Sequence, residues 1–144
     1  MRFGLAIGDS VAFARTITAM DIALCAAITG DFDPLHMDED YARGTAFGAR
    51  IAHGALVLGL CSTCASLIAQ RSIAAGAEGT PASLGYDRVR FLRPVFVGDT
   101  LTARYTVEAL DPAARRSESR IEVANQARET VLAGRHVMKW VASA

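Results

Sequence analysis

Lysine is nearly absent from this chain: Lys139 is the only one, against fourteen arginines. Arginine suits phosphate recognition, but GC-rich coding produces the same bias and is the preferred explanation. Acidic and basic residues balance at fifteen each, with no block of like charge. The electrostatic footprint of a nucleic-acid binder is therefore missing. Cysteine is scarce and odd in number, at three (Cys25, Cys61, Cys64), which excludes a disulfide framework and points to reduced thiols in a cytoplasm. Cys61 and Cys64 have C-x-x-C spacing, but they fall inside an apolar run with no second pair to complete a zinc site. Core packing is expected of them, and no metal. The opening Met1–Gly8 is too short for a secretory apolar region.

Apolar residues, by contrast, are plentiful. They make up 51% of the 144 residues, against 21% charged. One domain spanning 1–144 is expected, with enough surplus apolar surface to favour a homo-oligomer. The longest uncharged stretch, Ile51 to Gln70, could span a bilayer by length. It carries His53, two serines, a threonine and two glycines. No second span or basic flank supports a membrane role, so a core helix is expected.

Ser10 to Thr18 alternates as a strand, with Val11, Phe13 and Ile17 on one face. Thr18 with Asp21 reads as a helix N-cap and its acidic partner. That helix ends at Gly30, a suitable left-handed terminator, and Pro34 prevents continuation while holding Asp33 extended. Asp38-Glu39-Asp40 begins a short solvated helical turn. The main helix is expected from His53-Gly54 to about Arg71, apolar and hence buried all round. Gly76 to Pro81 reads as loop. Strands follow at 84–92, 100–110, 117–125 and 130–141. In the second of these, Leu101, Ala103, Tyr105, Val107 and Ala109 share one face. His136, in alternation with Leu132, Met138 and Trp140, reads as an ordinary strand histidine. One long helix followed by an antiparallel meander predicts an α+β fold: a curved sheet wrapped around a central helix.

The densest chemistry lies in Gly30-Asp31-Phe32-Asp33-Pro34-Leu35-His36. A carboxylate and an imidazole stand five residues apart, between a helix end and a proline. Alone, this is an ordinary polar turn behind a helix. Its companion is Ile51-Ala52-His53-Gly54, which opens the apolar helix, where backbone N–H groups are unpaired and the dipole favours negative charge. A carboxylate and an imidazole can flank one water, and a helix start can hold an oxyanion.

Taken together, residues 30–36, Asp38, Tyr41-Ala42, Phe47 and 51–54 resemble the MaoC-type hydratases of the hot-dog fold, the (R)-specific enoyl-CoA hydratases among them. Phe91-Leu92-Arg93-Pro94-Val95-Phe96-Val97-Gly98-Asp99-Thr100-Leu101 is similar to the family's second signature, a strand ending in Pro-x-x-x-Gly-Asp. The resemblance implies reversible hydration of a trans-2-enoyl-CoA to the (R)-3-hydroxyacyl-CoA. It implies a water between Asp31 and His36, with acid and base left unassigned between them, and the Gly54 N–H on the thioester oxygen. It aligns Ser62 with a family serine near the catalytic pair; a hydroxyl bonded to its own helix backbone is the competing reading. Asp33 replaces the commoner Asn and either tunes Asp31 or faces solvent. Leu35 and Phe47, with Leu56 and Leu58, are candidates for the acyl tunnel, and His53 for capping or packing behind the site. A homodimer, no cofactor and an acyl-CoA partner follow from the same resemblance. Two other functions remain: an acyl-CoA thioesterase, since this fold hosts both activities, and a non-catalytic acyl-CoA-binding subunit.

Overall fold

The computed structural model describes residues 1–142. Its strands are β1 (Ser10–Thr16), β2 (Thr80–Phe91), β3 (Thr100–Asp111), β4 (Arg116–Ala124) and β5 (Thr130–Val141). They form one antiparallel sheet in the order β1-β3-β4-β5-β2. Helices α1 (Ala19–Thr29), α2 (Pro34–Met37), α3 (Glu39–Arg43) and α4 (Gly54–Ala74) all precede β2. The sheet wraps α4, which contacts every strand. This is the expected α+β, hot-dog arrangement.

Local chemistry explains the helix ends. The Thr18 hydroxyl accepts from the Asp21 N–H, and the Asp21 carboxylate accepts from the Thr18 N–H, a complete capping box. That bond to the Thr18 backbone, ahead of those to the Thr18 hydroxyl and Arg15, lowers the Asp21 pKa despite burial. Gly30 closes α1 with φ +80°. Pro34 then occupies the first position of α2, where its missing N–H costs nothing.

Four expectations need correction. Helix α4 is buried along one face only, through Val57, Leu60, Cys61, Cys64, Ala65, Ile68 and Ser72. The sheet covers that side and leaves Ser62 and Leu67 exposed. Strand β2 begins at Thr80, so Pro81 lies within it and not in a loop. The position is tolerated because β2 is an edge strand with a single neighbour. In β3 a register shift between Val107 and Ala109 breaks the alternation. Leu101, Ala103, Tyr105 and Val107 are fully buried, whereas Ala109 is exposed and Leu110 turns toward the core. Finally, His36 sits on the one-turn helix α2, where a plain loop was expected.

Beneath α4 the core holds a polar pocket of its own. His136, fully buried, pairs one ring nitrogen with the Tyr105 hydroxyl and the other with Ser83, each at 2.8 Å. Burial lowers its pKa to about 4. The Cys61 and Cys64 thiols are free and buried, and burial pushes Cys61 to about 12. Both side chains belong to the hydrophobic core cluster, so these cysteines are packing residues, as expected.

Candidate active site

Two segments far apart in sequence are tied together at the start of α4. Ile51 N–H donates to the Leu35 carbonyl at 3.3 Å, and Ala52 N–H donates to Val95 at 2.7 Å. His36 Nδ1 lies 2.8 Å from the Ile51 carbonyl. A carbonyl can only accept, so Nδ1 carries the proton and Nε2 keeps its lone pair. His53, only 2% exposed, reaches back with Nε2 to the Asp31 carbonyl at 2.9 Å. Its ring lies against that of His36, with centroids 3.9 Å apart and planes 29° from parallel.

Asp31 thus stands at the end of α1 with its carboxylate half exposed. One of its oxygens accepts from the Asp33 N–H at 3.3 Å, and the other is 4.0 Å from His53 Nε2. Asp31, His36 and His53 each bring one ligating atom to within 4.8 Å of the other two. Such a separation can be bridged by one water making bonds of about 2.8 Å on each side. The same three groups could in principle hold a cation, but the His53 nitrogen facing Asp31 already donates to a carbonyl. Stacked rings also do not converge on a common point, so this donor set does not fit a metal.

Beside this group lies an apolar cavity of about 430 Å³ that His36, Phe47, Gly54, Phe91 and Arg93 help to line. Helix α4 starts at Gly54 with no side-chain cap, leaving its first N–H groups for a ligand. A Cβ at Gly54 would come within 2.6–2.8 Å of the Phe91 ring. Glycine here therefore admits Phe91 as well as any substrate carbonyl. Strand β2 reaches this point after a bulge between Asp87 and Arg90, with Arg88 at φ +54°.

The structure brings together Asp31, His36, His53 and Gly54, with Phe47 on the cavity wall. His53 makes no side-chain capping bond but does pack, and it also binds the Asp31 loop. Ser62 is not among the residues that line the cavity. It lies eight residues along α4 from Gly54, about 12 Å, exposed and beside Tyr86 of β2. The exposed Asp33 carboxylate accepts from the Leu35 N–H at 2.8 Å and caps α2. Leu35 contributes its carbonyl to the clamp and is not among the cavity-lining residues; Leu56 lines a second groove, beside α1. Phe91, Leu92 and Arg93 on the wall were not singled out from sequence, although they open the second quoted signature.

The fold is that of a hot-dog protein, with a carboxylate and two imidazoles gathered at a helix start. The family model for the MaoC like domain matches residues 2–131, and the chain belongs to that family. It is 41% identical over 105 residues to an (R)-specific enoyl-CoA hydratase of Rhodospirillum rubrum, covering 73% of this chain and 67% of that protein. It is 34% identical over 113 residues to a 3-hydroxybutyryl-CoA dehydratase of Methylorubrum extorquens, covering 78% and 67% respectively. Among solved structures, the (R)-hydratase from A. caviae involved in PHA biosynthesis superposes with a TM-score of 0.81 at 31% identity. That alignment covers 95% of this chain and 98% of the other.

Proposed function

We propose that this MaoC-type hydro-lyase adds water reversibly across the double bond of a trans-2-enoyl-CoA, giving the (R)-3-hydroxyacyl-CoA. The observation that carries the reading is the meeting of Asp31 and His36 beside an apolar cavity with an uncapped helix start. Water held between Asp31 and His36 loses a proton to one of them as its oxygen bonds to C3. Charge then gathers on the thioester oxygen, where the Gly54 N–H and the α4 dipole stabilise it. A proton returned to C2 completes the addition. In the resting tautomer the Asp31 carboxylate and His36 Nε2 are both acceptors, and the pH–rate profiles of Asp31→Asn and His36→Gln separate their roles.

The proposal extends to a homodimer. Both sheet edges, β1 and β2, are open in the single chain. Leu67 and Ile73 on α4, Leu24 and Ile28 on α1 and Leu84 on β2 are exposed apolar side chains that a second copy would cover. A cytoplasmic setting belongs to the same reading, in keeping with the free thiols.

The test is loss of enoyl-thioester absorbance with crotonyl-CoA and longer or branched analogues, with chiral analysis of the product. Release of free CoA thiol would favour a thioesterase instead. Binding without turnover on every substrate would leave an acyl-CoA-binding subunit.

A further inference from the structure

The His53 side chain touches both Asp31 and His36. One edge of its ring donates to the Asp31 carbonyl at 2.9 Å, and one face lies 3.9 Å from the His36 ring. Almost no solvent reaches it, and its Nδ1 has no hydrogen-bond partner. A buried polar atom left unpaired costs stability, and a leucine or phenylalanine would fill such a space without that cost. What an apolar residue could not supply is the Nε2–H that the Asp31 loop uses.

From this geometry we propose that His53 is a positioning residue for the hydration step. It fixes the separation of the two proton-handling groups by holding the Asp31 backbone with its edge and the His36 imidazole with its face. His36 has a second restraint, the Ile51 carbonyl at 2.8 Å, which fixes its tautomer but not the tilt of its ring about that bond. The flat His53 ring supplies the missing restraint. Asp31 is otherwise weakly held: its own N–H makes a 3.3 Å bond to Thr29, and its carboxylate is half exposed. The inference rests on the hydratase reading and adds a residue that never meets substrate.

The two contacts separate by substitution. His53→Gln keeps an amide N–H at the same number of bonds from the backbone and loses the ring face. His53→Phe keeps the face and loses the donor, and His53→Ala loses both. With crotonyl-CoA, kcat should fall about 100-fold for the Ala variant, since ångström-scale misplacement costs about that much. It should fall about 10-fold for the Gln and Phe variants, with KM within about twofold throughout. A residue that merely supports the fold would lower kcat by the same factor whether or not the pair is present. In an Asp31→Ala/His36→Ala background, His53→Ala should instead cost less than about twofold further. Wild-type kcat in folded Gln and Phe variants, or a full additional loss in the double-variant background, would overturn the proposal. Should the Ala variant not fold, Gln and Phe decide alone, with the double-variant comparison run on Phe. If wild type turned over no enoyl-CoA, the hydratase reading would fail; if Asp31 and His36 variants lost activity while His53 variants kept it, only this inference would.

Discussion

Two histidine clusters lie at different depths of one molecule, and they differ in how their ring nitrogens are used. Beneath α4, His136 uses both ring nitrogens, on Tyr105 and Ser83, and burial holds its pKa near 4. At the start of α4, His36 uses only Nδ1 and lies on the wall of a cavity. A buried histidine whose two nitrogens are both bonded to neighbouring side chains ties those neighbours together. One with a single nitrogen anchored is oriented and still able to react.

The largest effect that sharpens this contrast is expected at the reactive cluster. Asp31→Asn and His36→Ala should each lower kcat by about 10³-fold on crotonyl-CoA, the range for a lost acid or base, with the thermal midpoint little changed. The double variant should lose far less than the product of the two, because both act on one water. At the buried cluster His136→Gln should do the reverse. Hydration near pH 7.5 should stay within about twofold while stability drops by about 1–3 kcal/mol, the cost of unmade buried hydrogen bonds.

Acid sharpens the difference further. The His136 pKa falls from 6.5 to about 4 on folding, so between those values the unfolded chain binds a proton the folded one does not. Stability from this group is complete above pH 6.5 and is lost as pH falls toward 4, by about 3 kcal/mol. Denaturant titrations at pH 7 and pH 4.5 should show a larger drop in wild type than in His136→Gln. Asp21 does not blur this window, because its lowered pKa places its own loss below 3.8. An equal drop in both proteins would break the comparison.

The smallest effect separates a cap from an acid. Asp33→Asn should leave kcat and stability nearly unchanged, since Asn caps a helix as well as Asp, whereas Asp33→Ala should cost about 1 kcal/mol. A tenfold fall in kcat for the Asn variant would return Asp33 to the proton chemistry.

Features set by neighbouring residues were legible in advance. The Thr18/Asp21 box, the Gly30 stop, the Pro34 helix start and the inward face from Leu101 to Val107 each depend on a few consecutive side chains. Asp31, His36 and Gly54 were legible because their spacing carries a family signature. His53 was harder to place: its partners lie 22 and 17 residues away in sequence, and nothing local distinguishes a stacked ring from a packed one. For Ser62 the helix position alone does not say which neighbour it meets; Tyr86 of β2 stands beside it.

By itself the amino-acid order determined most of the elements, several helix ends and which residues could carry proton chemistry, all matters of short-range sterics, hydrogen bonding and periodicity. Only the tertiary structure decided that α4 is covered on one side, that β3 slips its register at Val107, and that His53 joins Asp31 to His36. Each depends on which distant surface happens to lie opposite, and no run of neighbouring side chains encodes that.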